Sequence, residues 1–469
     1  MKKNSLLKVL GIAFLVFVVL SWIFPAGAFN GAEYTKEAIM PIGLFDLGYY
    51  PLITVSAFMQ YGIVFLTIGG LYGVLNKTGV YAKLVKSTAK LFENSKMLFM
   101  ILSIVGVSLY VSLTGLVMPV MVIIPFIYAV MNCLGFSKQS SAAATIGAIF
   151  AGIIGNTVGY HSVYISEYLG LDLFNLRTLA FKIMLYVLVT ALLVFYVYKR
   201  AKKELNNAEV DNNILLFNEA EETKKSLVPA IVILVLVSLL VVVSMYPWSY
   251  AFETTFFEDL YEKVMGFTVK EFPVFQNLLG SSISPFGYWL NYELATLMIF
   301  ASVIIGWIYG VKFEDIIKSF GEGCKRIFSV AFYACLANVI FAVMLNTSAN
   351  ICFTFVDYLA RIAENFSVPA TAVMTGIGSF FYNDFNYLVA NVTTVIATIY
   401  SDTTNYPLIA IITQSIYGVI MLFAPVSVAL LAGLRIFDVN YKDWFKYMWK
   451  YILEIALIVM AVVMIISFI

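Results

Sequence analysis

The sequence predicts an all-α, polytopic membrane protein, and three observations carry that prediction. Of its 469 residues, 61% are apolar and only 12% are charged, against about 25% charged in soluble domains; mean hydropathy is +0.90. Apolar stretches of about 18 to 25 residues, the length that crosses a hydrocarbon core of about 30 Å, recur from end to end. None shows the period-two alternation of barrel strands, so helices are the spanning elements that satisfy their own backbone in lipid.

In chain order the apolar stretches fall near 5–28, 51–76, 97–133 (long enough for two passes), 141–160, 179–198, 227–247, 291–311, 326–346, 351–400 (two or more broken pieces), 406–433 and 451–469. Roughly ten to thirteen membrane segments follow. The first begins after Lys2 and Lys3, contains Lys8 and runs to Ala26-Gly27-Ala28, which meets the A-x-A rule of a cleavable signal. A retained first helix is preferred, because the polytopic remainder can insert without a removable leader.

Lys and Arg crowd the tail to Lys8, the 77–96 link (Lys77, Lys83, Lys86, Lys90 and Lys96 against Glu93) and the 199–225 link (Lys199, Arg200, Lys202, Lys203, Lys224 and Lys225). The positive-inside rule puts these in the cytoplasm. The 248–290 link carries Glu253, Glu258, Asp259, Glu262 and Glu271 against Lys263 and Lys270, with Trp248, Phe256 and Phe257 suited to an interface, and is expected outside. Residues 312–326 mix both signs and leave the orientation of the second half open.

The chain divides into a first half, 1–198, a cytoplasmic linker, 199–226, and a second half, 227–469, that includes the outer loop 248–290. Each half has the same order of parts: a span (51–76 or 291–311), a polar helix-compatible stretch (80–93 or 312–323), a long apolar stretch broken by small polar residues, and a further broken span. That order predicts two repeats, inverted in the usual transporter plan, with the solute site at their interface near the bilayer midplane.

Composition excludes several chemistries. The 29 basic and 28 acidic residues nearly cancel to a net charge of +1, which offers no basic excess for nucleic acid. Cys133, Cys324, Cys335 and Cys352 form no CxxC pair, and His161 is the single histidine. Zinc, haem and Cys/His or Ser/His catalysis therefore lack their usual parts, and the cysteines read as packing residues. No GxxxxGK[ST] occurs, so a gradient or an exchange reaction, not ATP bound through that motif, drives any transport. The Asn-x-Ser/Thr matches at Asn346, Asn365 and Asn391 lie in or beside apolar spans and read as chance.

Small and amide residues interrupt the spans at Ser112-Leu-Thr114-Gly115, Gly155-Asn156-Thr157, Asn346-Thr347-Ser348, Asn383-Asp384 with Asn386, and Pro425-Val-Ser427. A helix broken at membrane depth exposes backbone groups that persist where they line a cavity or bind a solute or ion. Helix N-termini at such breaks attract a carboxylate, while free carbonyls and Asn or Ser oxygens hold a dehydrated cation; each break is equally an ordinary turn or packing feature. Asp384, flanked by aromatic and apolar residues, is the sharpest candidate, since a carboxylate within a span costs about 2.5–3.5 kcal/mol. It would receive a cation, a proton or a solute's amino group; the competing reading is a hydrated carboxylate in an interfacial loop. His161, beside the polar run Tyr160-His161-Ser162, reads as solvated or interfacial rather than as a proton relay.

Several stretches resemble the YfcC/DcuC family, the anaerobic dicarboxylate carrier-like branch of the ion-transporter superfamily. Trp22-Ile-Phe-Pro25-Ala-Gly27-Ala-Phe29 resembles the end of that family's first helix, and Ser319-Phe-Gly-Glu322-Gly323 its entry to the second repeat. From Phe380 to Lys446 the layout matches without gaps, including Gln414, Gly418, Pro425, Ser427 and the closing Phe437-Asp-Val-Asn-Tyr-Lys-Asp-Trp444. The resemblance implies secondary transport of small carboxylate-bearing solutes, either dicarboxylates or amino acids, by permease or antiporter. It also implies two inverted repeats with re-entrant hairpins, and often a dimer. No cofactor is expected, and Na+ and H+ are the candidate coupling ions, the choice between them left open. Site positions carried over are Gly155, Asn156 and Thr157 in the first repeat, and Asn383, Asp384, Asn386, Pro425 and Ser427 in the second. Thr114 marks the first hairpin, where uncharged residues replace the family's paired glutamates.

With the intramembrane carboxylate thus in the second repeat, a cationic or zwitterionic solute pairs with Asp384, whereas a dianion is repelled unless cations intervene. The expectation is an amino-acid or small-peptide carrier in the cytoplasmic membrane, not an enzyme. The alternatives are a dicarboxylate carrier of the same family, an intramembrane enzyme, for which Asp384 has no catalytic partner, and a channel, which would show pore-lining rings.

Overall fold

A computed structural model describes residues 5–205, 213, 216–217, 219–345 and 350–468. The protein is helical throughout, its only strands two short antiparallel pairs in connections among the described residues. In the first half, helix α1 (Ser5–Ile23) leads to strands β1 (Gly27–Asn30) and β2 (Glu33–Lys36). Then come α2 (Asp46–Ala57), α3 (Met59–Lys77), α4 (Val80–Leu91), α5 (Lys96–Thr114), α6 (Val117–Cys133), α7 (Lys138–Ala142), α8 (Ala148–Ile154), α9 (Tyr160–Leu169) and α10 (Leu176–Glu204). Helices α7 and α8 are joined by a π-turn, Ala143–Gly147.

The second half begins with α11 (Val228–Met245) and continues through α12 (Trp248–Phe252), α13 (Phe256–Met265), strands β3 (Thr268–Val269) and β4 (Phe272–Pro273), and α14 (Val274–Leu279). There follow α15 (Asn291–Ile308), α16 (Phe313–Leu336), α17 (Val339–Met344), α18 (Ile351–Ala363), α19 (Val368–Phe381), α20 (Phe385–Leu388), α21 (Thr394–Ile399), α22 (Tyr406–Met421), α23 (Val428–Ile436) and α24 (Tyr441–Ser467). A second π-turn, Val389–Thr393, joins α20 to α21.

Among the described residues seven helices are long and apolar enough to cross a membrane, and three shorter apolar helices, Val117–Cys133, Val368–Phe381 and Phe385–Ile399, accompany them. The protein is a multi-pass membrane protein. Its outer surface carries large apolar side chains, as on α11, where Val228, Val232, Val235, Leu236 and Leu239 are exposed; lipid, not water, is the solvent that suits such a face.

The structure revises several boundaries. The stretch 51–76 is two helices, α2 and α3, meeting at Phe58, where the backbone leaves helical geometry. In the first half, Gly79 (φ +69°) and the turn at 92–95 separate the amphipathic α4 from its neighbours α3 and α5. Its counterpart, the amphipathic stretch from 313, instead runs unbroken into the apolar residues as the single helix α16, which ends at Leu336 and passes through Ala337–Asn338 into α17. The stretch 326–346 is thus the end of α16 followed by the short α17, not one continuous helix. The Asn346-Thr347-Ser348 break lies outside the described residues.

The linker is shorter than its composition indicates, since α10 continues to Glu204. What is described of it is docked onto the helices. Phe217 is buried beside the Tyr72 ring at 5.6 Å and beneath the Arg326 guanidinium. Ion pairs Arg326–Glu219 (2.9 Å) and Lys86–Glu222 (3.0 Å) flank it; such exposed pairs contribute about 0–1 kcal/mol each, so the buried ring is the stronger anchor. Truncation by Phe217→Ala is expected to cost about 3–5 kcal/mol, read as a lower melting temperature of the purified protein; an unchanged melting temperature would show that the linker is not anchored there.

The two halves are locked together by α3 and α16. Gly69 and Gly73 on α3 face Ser319 and Gly323 on α16, and a Cβ added at Gly69, Gly73 or Gly323 would overlap backbone atoms of the opposite helix. Small residues four apart on both helices let the backbones touch, which is how helices gain packing energy where lipid removes the hydrophobic drive.

Candidate functional site

The first break lies between α8 and α9. Gly155 ends α8, and a Cβ there would overlap the Tyr186 backbone, so glycine at this position lets α10 press against the break. Asn156 is fully buried, with a partner at each amide atom: Nδ2 donates to Val111 O (2.8 Å) and Oδ1 accepts from Ser162 N (3.0 Å). Thr157 turns to the end of α5, its N–H and Oγ1 both donating to Ser112 O at 2.9 and 3.1 Å, while Ser112 Oγ donates to Gly155 O at 2.7 Å.

The α5–α6 hairpin thereby sets its tip against this break. Thr114 Oγ1 donates to Tyr110 O (2.7 Å) and accepts from Leu116 N (3.2 Å). Gly115 takes φ +70°, and a side chain there would overlap Tyr160. Only glycine meets both demands without strain.

The second break lies between α19 and α20 and repeats the device. Asn383 is buried, and its Nδ2 donates to Val426 O (2.7 Å) and to Asn338 Oδ1 (3.1 Å) at the α16–α17 discontinuity. Each break is thus tied by an asparagine amide to the end of a preceding helix of its own half, Val111 in one case and Asn338 in the other. Val426 belongs to the third break, between α22 and α23. Pro425 is half-buried there, and Ser427 caps α23 by accepting from Leu430 N at 3.4 Å.

Asp384 is the N-cap of α20, with Oδ1 accepting from Asn386 N (3.0 Å) and Tyr387 N (3.3 Å). It is half-buried, and its free oxygen Oδ2 accepts from the Tyr61 hydroxyl on α3 at 3.4 Å. Two more tyrosines hold the same segment: Tyr417 on α22 donates to Asn383 O (2.7 Å), and Tyr160, the first residue of α9, accepts from Asn386 Nδ2 (2.8 Å). Tyr61 and Tyr160 come from the first half. Asn383 Oδ1 and Asn386 Oδ1 are buried acceptors without a hydrogen-bond partner among the described residues.

Three groups here were not among the site residues expected from the sequence. Gln414 on α22 bridges the halves: Nε2 donates to Asn156 O (2.8 Å) and Ile154 O (3.3 Å), and Oε1 accepts from Ser162 Oγ (2.8 Å). Tyr417, one turn on, serves the second break, so α22 binds a carbonyl of each. Lys182 on α10 is only 2% exposed and donates to Ser162 Oγ at 3.0 Å. The signal for Lys182 was present, because it is the only charged residue between 179 and 198, and an ionisable residue within a span is a functional candidate.

His161 corrects an expectation. It is buried at 6% exposure, with its ring 4.6 Å from that of Phe385 and 6.2 Å from that of Tyr417, because the first turn of α9 packs on α20 and α22 instead of facing water. Its Nδ1 has no hydrogen-bond partner.

Replacing Gln414 by Leu would remove its bonds to Asn156 O, Ile154 O and Ser162 Oγ across the halves and leave Asn156 O with the Ser162 hydroxyl. Each buried hydrogen bond lost costs about 0.5–1.5 kcal/mol. The variant is therefore expected to melt well below the parent, and equal melting temperatures would show that Gln414 does not hold the first break.

The family model for DcuC, the C4-dicarboxylate anaerobic carrier, matches residues 4–468. The chain belongs to that family. It is therefore a member of a family of membrane carriers, with multi-pass topology in the cell membrane. Among solved structures it is similar to the YdaH transporter of Alcanivorax borkumensis, with 13% identity over 100% of this chain and 98% of that one and a TM-score of 0.40. It is also similar to MtrF of Neisseria gonorrhoeae, reported as illuminating a class of antimetabolite efflux pumps, with 13% identity over 97% of this chain and 94% of that one and a TM-score of 0.41. No curated protein matches it.

Proposed function

We propose that this carrier moves an amino acid or small peptide by secondary transport, with Asp384 receiving the solute's amino group. The observation that carries this reading is the surround of Asp384. One carboxylate oxygen faces Tyr61, tyrosines from three helices hold residues 383–386, and the neighbouring Asn383 Oδ1 and Asn386 Oδ1 are unpaired acceptors. A carboxylate, amide oxygens and aromatic rings together suit an ammonium group or a small cation, and disfavour a dianion.

The other end of the solute has a counterpart. Tyr160 opens α9 and is bonded to Asn386, so the positive end of that helix stands beside the second break. A helix N-terminus favours a carboxylate. A zwitterion spanning α9 and α20 would use both charges. The family's description as C4-dicarboxylate carriers supports retention of a carboxylate-recognising element, and a dicarboxylate escorted by cations is the second reading.

Counterflow in proteoliposomes, with a panel of radiolabelled amino acids, short peptides and four-carbon dicarboxylates, separates the two. Each assay is run with a Na+ gradient, a proton gradient and neither. Exchange of zwitterionic or cationic solutes is the expected result; exchange confined to dicarboxylates would overturn the assignment of Asp384 to an amino group.

A further inference from the structure

Lys182 is the one charged side chain that the fold seals from solvent among the described residues; the other fully buried polar groups are hydroxyls, amides and His161. Among the described residues no carboxylate lies within 4.0 Å of it. An ammonium buried in this way loses several kcal/mol of hydration, and it is retained only where negative potential replaces the water.

That potential comes from the first break. Ser162 Oγ lies 3.0 Å from Lys182 Nζ and 2.8 Å from both Asn156 O and Gln414 Oε1. A hydroxyl has one hydrogen and two lone pairs. It accepts from the ammonium while donating to one of these two oxygens, and so sets its dipole between the positive charge and an oxygen at the break. Gln414 Nε2 completes the set on Asn156 O and Ile154 O. The reach of Lys182 depends on Gly155: Tyr186, one turn along α10, presses its backbone against that glycine.

Backbone carbonyls and a serine hydroxyl at a broken helix are the ligands that otherwise hold a dehydrated cation. We propose that the Lys182 ammonium is a built-in monovalent cation for the first break, occupying the role that a diffusible coupling ion would otherwise fill there. A coupling ion, where one acts, is then confined to the second break, at Asp384. The solute plays no part in this inference, so it stands or falls separately from the amino-acid reading.

The test is thermal unfolding of the purified full chain, followed by tryptophan fluorescence, in sodium, choline or methylammonium chloride at equal ionic strength. An Asp384→Asn background removes any ion effect from the second break. With Lys182 intact, the three salts give the same melting temperature. Lys182→Ala, which removes the charge and opens space, melts lower in choline and regains roughly 2–4 °C in sodium or methylammonium, as binding to the native state requires. Lys182→Met, which fills the space without charge, melts lower and shows no such recovery. A Lys182→Ala variant as stable in choline as the parent, or one to which sodium and methylammonium give no more than choline, overturns the proposal. If Lys182→Ala cannot be isolated in any salt, Lys182→Arg and Lys182→Met decide. Lys182→Arg melting above Lys182→Met supports a resident positive charge, and Lys182→Met melting equal to or above Lys182→Arg overturns it.

Discussion

Replacing Asp384 by Asn is expected to abolish exchange of zwitterionic and cationic solutes while leaving the fold intact. The separation is possible because the two carboxylate oxygens have different tasks: Oδ1 caps α20, and Oδ2 faces Tyr61. Asparagine is as good an N-cap as aspartate, so Asn386 N and Tyr387 N keep an acceptor and the melting temperature stays near the parent value. What disappears is the charge. A hydrogen bond to a charged group contributes about 1.5–3 kcal/mol, a factor of roughly 10 to 150 in affinity, and a low-dielectric site puts the loss at the upper end. Alanine at the same position also removes the cap and costs a further ~0.5–2 kcal/mol of stability. An Asp384→Asn carrier that exchanges every tested amino acid at the parent rate would leave the carboxylate with a capping role alone.

The second large effect is structural. Gly323→Val places a branched side chain where α16 touches Gly69 and Gly73 of α3. Neither neighbour has a side chain that can rotate away, so the helices must separate along the whole seam. Overpacking of this kind costs about 1–3 kcal/mol and occasionally more, and the backbone packing forfeited along the small-residue stripe adds to it. Because α3 carries Tyr61, the displacement should also move the hydroxyl that faces Asp384. The expected result is a sharply lower melting temperature and loss of a single species in size-exclusion chromatography. A variant that melts with the parent would mean that the α3–α16 seam tolerates separation. Gly321→Val, on the same helix but with open space around it, is the control and should cost far less.

Much of the architecture was legible in the residues themselves. Membrane class, helical content and the approximate places of the spans follow from composition and apolar run length, which are local properties of the chain. So do the breaks: Gly155-Asn156-Thr157, Asn383-Asp384 and Pro425-Val-Ser427 each interrupt an apolar run with residues that cap or turn a helix, and each falls at a helix end. Capping explains part of that pattern, since Asp384 and Ser427 both bond the first turn of the next helix. Boundaries were less legible. Whether the amphipathic stretch of a half continues into the next apolar run, as in α16, or breaks, as between α4 and α5, depends on a few turn residues and the packing around them.

Hydropathy and turn chemistry act over a few residues, so a multi-pass helical membrane protein with polar interruptions in both halves is readable from the residues alone. Which groups meet at those interruptions is set by the packing of helices far apart in the chain. Gln414 lies 258 positions from Asn156, and Tyr61 lies 323 from Asp384; no periodicity links them, and their meeting follows from helices packed at backbone contact. Lys182 shows the division most clearly. Its type and place within an apolar span were visible, yet whether it would snorkel to the interface or turn inward was set by Gly155, which brings α10 close enough for the ammonium to reach Ser162 instead of water.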